Sequence, residues 1–367
     1  MKMFRKIGDE VILVYNPRTE DVEVGENIKV VDQARNRGLI VQVIEEGLVD
    51  LTGILEDIIR VESIGDVEIE EYTSPEYEKY KLDVRNMKFA RAKIRKEIRI
   101  LEGEEIIVDW TGWIPDRGVK VESIDDEWLL NNLGIKETSL KHPIALGNTN
   151  FSKKTFITSA YHLQGITIIV GKKGTGKSHI AKALLLGLID NKAKCIVFDI
   201  NNEYAPLRFN SDGTESKYHD KIIPLEPGGN FRFTLSYIGA DVFFDVIQTT
   251  MGLPEASAYE LRNLWNEIEN QEELTFSNLR DAAKNSLDRR ILGAIIRRLD
   301  RMEQTQLFTD NPEHATTLER EFDKIREGGA LVINLKMKNK DTMDLVVQTM
   351  LRKTQELLES GYPPIFI

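Results

Sequence analysis

A glycine-rich segment between residues 171 and 178 carries the clearest chemistry in this sequence. It fits the pattern G-x-x-x-x-G-K-[ST] in full, from Gly171 to Ser178. An apolar, β-branched run (Ile166 to Val170) precedes it, and a helical pattern follows it. This strand, loop and helix context predicts a cradle for nucleotide phosphates, because glycine lets backbone N–H groups close around phosphate oxygens at a helix N-terminus.

The side chains of the loop have distinct predicted roles. Lys177 would reach the β and γ phosphates, and the Ser178 hydroxyl would take one Mg²⁺ coordination position. The alternative is a glycine turn that only joins a strand to a helix. We assign nucleotide binding to Gly171, Lys173, Gly174, Thr175, Gly176, Lys177, Ser178 and His179.

A second segment places two acids after an apolar run. Asp199 ends the run that starts at Lys194, and Glu203 follows four residues later. Acids at the carboxyl end of a parallel strand beside a phosphate loop can bind Mg²⁺ through water or orient an attacking water. We therefore predict that Lys177, Asp199 and Glu203 are catalytic and that Asp199 contacts Mg²⁺ through water. In the alternative, Asp199 caps the following turn and Glu203 is a surface residue.

Composition limits the class of protein. The chain has 367 residues, 41% of them hydrophobic and 30% charged, which predicts two or three globular domains. No apolar run approaches the roughly 20 residues of a membrane span, and the N-terminus does not resemble a secretory signal, so we expect a cytoplasmic protein with no membrane contact. The single cysteine, Cys195, excludes an internal disulfide and is predicted to lie in the core.

The net charge of the chain is −11. This charge argues against a uniformly basic surface but does not exclude binding of nucleic acid.

The first 140 residues read as a β domain. Short β-branched runs separated by turn residues occur at 11–15, 28–31 and 39–44, which predicts a small barrel or sandwich. Residues 88–101 alternate with period two, so we predict a half-buried strand with a cationic outer face. That face could meet phosphates, but base rates favour an ordinary solvated face.

Residues 141–367 read as an α/β domain. Predicted strands at 166–170, 195–200, 222–225 and 330–335 alternate with helical segments, the first of them at 178–190. This order predicts a mainly parallel sheet with covering helices. A helical insertion at about 240–327 lies between the last two strands, and it includes helical patterns at 261–270 and 291–302.

The chain resembles the HerA/FtsK superfamily of DNA-pumping P-loop ATPases, and it is most similar to archaeal and bacterial HerA. The resemblance covers nearly the whole chain. It rests on the phosphate loop, on Asp199 followed by Glu203-Tyr204, on residues 328–335 with the helix that follows, and on the N-terminal strands at 24–31 and 38–44.

This resemblance implies a RecA-like ATPase core preceded by a small N-terminal β-barrel of the HAS type. It also implies a hexameric ring that threads double-stranded DNA and holds ATP and Mg²⁺ between subunits, with a NurA-type nuclease or another effector as partner. DNA repair or phage defence would be its setting.

The sequence departs from the family pattern at two places. Asn334 stands where the family usually has an acid, so a catalytic role at this position is doubtful. The sequence ends at residues 365–367, an apolar run that in the family continues as a buried central strand into a second acidic pair. We therefore expect a fragment of a longer chain, and nucleotide binding with feeble hydrolysis if the chain ends here.

Two hypotheses about function remain open. The first is an ATP-driven translocase or helicase on double-stranded DNA. The second is a nucleotide-gated hexameric scaffold that recruits an effector with little hydrolysis of its own. A GTPase is disfavoured because Asn339-Lys340-Asp341 is one residue short of an N-K-x-D motif. A small-metabolite kinase is disfavoured by the leading β domain.

Overall fold

The computed structural model describes residues 1–48, 87–101, 103–116, 118–133, 135, 140–151, 153–271 and 273–367. They form two compact units. The first comprises Met1–Leu140 with Gly147–Phe156, and the second comprises Lys141–Leu146 with Ile157–Ile367. No helix in the described part of the chain has the length and apolar character needed to cross a bilayer.

The described residues of unit 1 form a seven-stranded antiparallel sheet and one short α-helix, α1 (Asp126–Asn132). Its order is β1-β2-β5-β4-β3-β7, and β6 pairs with β5. The strands are β1 (Lys2–Ile7), β2 (Glu10–Tyr15), β3 (Asn27–Asp32), β4 (Arg37–Leu48), β5 (Lys88–Leu101), β6 (Glu104–Val108) and β7 (Lys120–Ser123).

The N-terminal strands predicted from the sequence are all present, but the described residues alone do not close the predicted barrel. In the described residues the ladder begins at β1 and ends at β7, and these two strands are not paired with each other. Period-two patterning identifies strands, but it does not state whether the first and last strands of a sheet meet. The described strands are therefore consistent with the predicted barrel in part, as an antiparallel sheet with buried side chains on both faces.

Strand β5 has the predicted alternation. Ala90, Ala92 and Ile94 are buried on one side. On the other side the cations are paired, for example Lys93 with Asp9 at 3.0 Å. Glu97 departs from the pattern because a register shift between Ile94 and Lys96 places it opposite the core residue Leu39, where it is fully buried and its carboxylate accepts hydrogen bonds from Arg37, Arg99 and Thr111. The other pairs are Arg91 with Glu45, Arg95 with Gln42, and Lys96 with Asp109.

Unit 2 has a four-stranded sheet, all parallel, in the order β11-β12-β10-β13. Cys195 lies in its core, as predicted. Residues 143–159 hold a two-stranded sheet of β8 and β9. The elements are β8 (Pro143–Asn148), β9 (Thr155–Ser159), α2 (Lys177–Asp190), β10 (Lys194–Asp199), β11 (Ile222–Leu225), β12 (Gly329–Asn334) and β13 (Ile365–Phe366).

Helices fill most of the chain between β11 and β12, and another helix follows β12. Trp265 is fully buried among them and packs against Phe243 and Phe244. The helices are α3 (Leu235–Ile238), α4 (Ala240–Asp245), α5 (Glu255–Gln271), α6 (Phe276–Ser286), α7 (Arg289–Glu303), α8 (Leu318–Lys324) and α9 (Lys340–Glu359). The helical patterns predicted at 261–270 and 291–302 are confirmed as parts of α5 and α7.

The strand predicted at 166–170 is wrong. These residues have no strand assignment in the structure, and Ile166, Ile168 and Val170 are 95%, 77% and 82% exposed. A strand needs a neighbouring edge with which to hydrogen bond. Strand β10 has β12 and β13 on its two sides, and the outer edge beyond it belongs to β13, which has only two residues and so offers this segment almost no edge. The three-residue run at 365–367 was predicted to begin a central strand, but β13 is a half-buried strand at the edge of the sheet.

Candidate nucleotide-binding site

The predicted phosphate loop has the backbone that its glycines allow. Gly174 and Gly176 have φ values of +83° and +92°, a region that other residues enter at a cost of about 1–2 kcal/mol. At Gly171, a Cβ atom would lie 2.6 Å from Oγ1 of Thr175. The three glycines thus allow a close turn immediately before α2.

Helix α2 begins at Lys177 with its N-terminal amides free of any side-chain cap. Gly176 is the N-cap residue, and the Ile180 N–H is the amide that donates back to its carbonyl. The N–H groups of Lys177, Ser178 and His179 therefore have no acceptor within the helix. Together with the helix dipole, these amides form a site for an anion.

Three donors of the loop meet at one carbonyl oxygen. Lys177 Nζ and Thr175 Oγ1 each lie 2.8 Å from the Lys172 oxygen, and the Thr175 N–H donates to it at 3.3 Å. Among the described residues, Lys177 has no carboxylate partner. A bent loop, uncapped amides and an ammonium group held by a neutral carbonyl match the donors that a triphosphate needs. The residues present therefore fit a nucleotide.

Asp199 is buried at the end of β10, with 2% of its surface exposed. Its Oδ1 accepts the N–H groups of Asn201 and Glu203 at 3.2 and 3.0 Å, and its Oδ2 accepts the Tyr204 N–H at 2.9 Å. This geometry is the turn cap that the sequence allowed as an alternative. Three of the roughly four acceptor positions of the carboxylate are in use.

Glu203 lies beside the helix that follows the loop. Its Oε2 is 3.1 Å from Nζ of Lys182, a residue of α2. Only residues 191–193 join α2 to β10, so the helix runs back along the strand and its N-terminus lies near the carboxyl end of β10. The structure thus brings the acid pair to the same edge of the sheet as the phosphate loop.

Burial raises the pKa of Tyr204, and the charges of Asp199 and Glu203 raise it further. The phenol therefore stays neutral near pH 7. Its ring lies 6.0 Å from Nζ of Lys182. Tyr204 thus adds packing and weak cation–π contact to the ion pair between Lys182 and Glu203.

The sequence analysis missed Glu226, which follows β11 at the same edge of the sheet. Asn334, at the end of β12, is in register with Asp199 and donates its amide to Oε2 of Glu226 at 3.0 Å. Lys338 pairs with the other carboxylate oxygen of Glu226 at 2.6 Å. The signal was available, because Glu226 follows an apolar strand just as Asp199 ends one. Asn334 acts here as a hydrogen-bond donor to an acid.

The described residues bring together no cluster of three histidine, cysteine or acidic side chains that could hold a metal ion. The predicted Mg²⁺ site does not need one. A magnesium ion bound with a nucleotide takes most of its ligands from phosphate oxygens and water, and Ser178 would supply one oxygen.

Comparison with known proteins gives one family. The family model described as "Helicase HerA, central domain" matches residues 167–354, about half of the chain. Among curated proteins, none is similar enough to this chain to count as a match.

Two solved structures are also similar to the chain. VirB4 of Thermoanaerobacter pseudethanolicus is 14% identical over 59% of this chain and 64% of its own, with a TM-score of 0.40. The bacterial conjugative coupling protein TrwBdeltaN70 is 14% identical over 52% of this chain and 50% of its own, with a TM-score of 0.31. The chain thus spans less than two thirds of either protein.

Proposed function

The chain belongs to the helicase HerA central-domain family of P-loop ATPases, and from this membership we propose that it is an ATP-dependent translocase or helicase on double-stranded DNA. The observation that carries the proposal is the uncapped N-terminus of α2 behind a glycine loop, with Lys177 beside it. This arrangement supports binding of ATP by its phosphates.

The loop residues would act by position and charge. Lys177 would exchange the Lys172 carbonyl for the β and γ phosphates, where its ammonium would stabilise the negative charge of the transition state. The amides at 177–179 would hold the phosphates in place, and Ser178 would hold Mg²⁺. Bound ATP with Mg²⁺ supplies the phosphoryl group whose transfer to water drives movement.

The two acids would have different roles. Asp199 holds the turn that carries Glu203, and its remaining acceptor position could contact Mg²⁺ through water. Glu203 uses one oxygen for Lys182. Its other oxygen could orient an attacking water, so we propose Glu203 as the residue that activates water and Asp199 as the residue that positions it.

We further propose a hexameric ring with DNA in its channel and a NurA-type nuclease or another effector docked on it. Family membership supports this assembly, which suits DNA repair or phage defence. The regular charge of the DNA backbone suits a motor that grips without regard to sequence.

A nucleotide-gated scaffold is the second candidate, and one observation favours it. Asp199 accepts hydrogen bonds from three backbone amides, and Glu203 forms an ion pair with Lys182. Both acids therefore have structural roles that do not depend on hydrolysis. In a scaffold, ATP binding would set ring formation, and the ring would recruit an effector without rapid turnover.

ATP turnover with and without random-sequence duplex DNA tests the proposal. A motor predicts turnover that DNA stimulates severalfold or more and that Lys177→Ala abolishes. A scaffold predicts ATP-dependent change in particle mass with slow turnover that DNA does not alter. The absence of both DNA stimulation and ATP-dependent assembly would contradict both candidates.

A further inference from the structure

Helix α7 presents arginines that have no partner in the described structure. Arg289, Arg290 and Arg297 are exposed, and none of them has an ion pair or hydrogen bond with a described side chain or carbonyl. The protein has a net charge of −11, so unpaired cations on one helix are not a consequence of overall composition.

The other arginines near the end of α7 fix the helix in place. Arg298 donates to the carbonyl oxygens of Met251 and Gly252 at 3.4 and 3.0 Å. Arg301 forms a two-point pair with Asp341, in which Nη2 lies 2.7 Å from Oδ1. The helix therefore divides its arginines between anchoring contacts and an exposed face.

Strand β5 also carries exposed cations, and their contacts can be compared with those of the α7 arginines. There Arg91 pairs with Glu45 and Lys93 with Asp9, while Arg95 donates to Gln42. The carboxylates neutralise Arg91 and Lys93 and leave little net charge there for a ligand, whereas the neutral amide of Gln42 leaves the charge of Arg95 in place. The exposed face of α7 lacks this neutralisation among the described residues, which distinguishes it from β5.

Gly293 lies between Arg290 and Arg297 on the same face, at the helical spacings of three and four residues. A Cβ atom at Gly293 would meet nothing within 4 Å, so packing does not require glycine there. Glycine within a helix costs about 0.5–1 kcal/mol relative to alanine. A bare backbone between two arginines would let an extended partner approach the helix closely.

We propose that the α7 face, defined as Arg289, Arg290, Gly293 and Arg297, binds the phosphate backbone of duplex DNA without regard to sequence. The inference rests on the proposed function and gives it a contact surface. Arg290 and Arg297 are separated by about 10.5 Å along the helix axis. This rise corresponds to about three base-pair steps of 3.4 Å each. Guanidinium groups can hold phosphate by two hydrogen bonds each.

The test measures binding of the full chain to a fluorescent random-sequence duplex across a series of NaCl concentrations. For Arg290→Ala/Arg297→Ala, the slope of log K against log [salt] should fall in magnitude by about 2, since each phosphate contact contributes about 0.9. Arg91→Ala/Lys93→Ala is the matched control, because it removes two cations from β5 that carboxylates already neutralise. Its slope should equal that of the unmodified protein.

The outcomes separate this inference from the proposed function. If the unmodified protein binds duplex DNA and the α7 variant keeps its slope, or if both variants lose slope equally, the α7 assignment is overturned. If the unmodified protein binds no duplex DNA, the translocase proposal fails together with it. Equal ATP affinity in all three proteins shows that the variants are folded.

Discussion

Nζ of Lys182 lies 3.1 Å from Oε2 of Glu203, which joins the helix behind the phosphate loop to the turn that ends β10. Both side chains are partly exposed, so the pair itself stabilises the fold by no more than about 1 kcal/mol. Its importance is positional. It holds Glu203 against α2, the helix at whose N-terminus we propose that the nucleotide binds.

If Glu203 orients water, Glu203→Gln should lower kcat by about 10²- to 10⁴-fold at unchanged ATP affinity, because general base catalysis contributes that range. Steady-state turnover and calorimetric binding measure the two quantities. Glu215→Ala, a change at an exposed acid with no contact to the site, is the control and should keep the original kcat. A Glu203→Gln protein with the original kcat would remove Glu203 from the chemistry.

Asp199→Ala should destabilise unit 2, because three partly buried hydrogen bonds from backbone N–H groups to the Asp199 carboxylate would be lost. Each unsatisfied buried donor costs roughly 1–3 kcal/mol. Thermal unfolding of the full chain measures the effect. Glu215→Ala, a change at an exposed acid, is the control. An unchanged melting temperature with abolished turnover would show that Asp199 is catalytic and has no structural role.

Two helix glycines should respond oppositely to alanine. At Gly187 the new Cβ would lie 2.3 Å from Cγ2 of Ile144, and overpacking of this kind costs about 1–3 kcal/mol. At Gly293 the space is open, so Gly293→Ala should stabilise the protein by about 0.5–1 kcal/mol. Denaturant unfolding of both variants measures whether each substitution raises or lowers the free energy of unfolding. Stabilisation by Gly187→Ala would contradict the contact with Ile144, and destabilisation by Gly293→Ala would contradict the open space at α7.

Unit 1 should lose stability in acid through Glu97. Burial alone would raise the pKa of Glu97, but hydrogen bonds from Thr111, Arg37 and Arg99 outweigh it and lower the pKa to about 2 from the ordinary 4.5. A lowered folded-state pKa stabilises the protein above pH 4.5. This contribution is lost as the pH falls from 4.5 towards 2.

Tryptophan fluorescence can follow this loss, because Trp110, Trp113 and Trp128 all belong to unit 1. Glu97→Gln should be less stable than the unmodified protein at pH 7, and the difference should shrink between pH 4.5 and 2. A constant difference across that range would contradict the role given to Glu97.

Much of unit 2 could be predicted from local signals. Apolar runs ending in polar residues identified β10, β11 and β12, and the glycine motif placed the start of α2 within one residue. The segment at 166–170 has the same composition as these strands, yet it is not one of them. Strand formation depends on a free neighbouring edge, which a linear pattern does not contain.

The candidate site, too, could be predicted from the sequence only in part. The loop was predictable because its function lies in consecutive residues. The contacts of Glu226 with Asn334 and Lys338 depend on the register of β11 against β12, and so they were missed. The sequence allows Asp199 to cap the following turn, but only the backbone course of 201–204, whose N–H groups donate to Asp199, decides it.

Calorimetric titration of the full chain with ATP and Mg²⁺, beside Lys177→Ala, tests the central claim most directly. The account predicts saturable binding that the substitution weakens by roughly 10- to 100-fold, because a hydrogen bond to a charged group contributes roughly 1.5–3 kcal/mol. Lys284→Ala, an exposed lysine on α6, should bind as the unmodified protein does. Absence of ATP binding, or equal binding by the Lys177→Ala protein, would contradict the account.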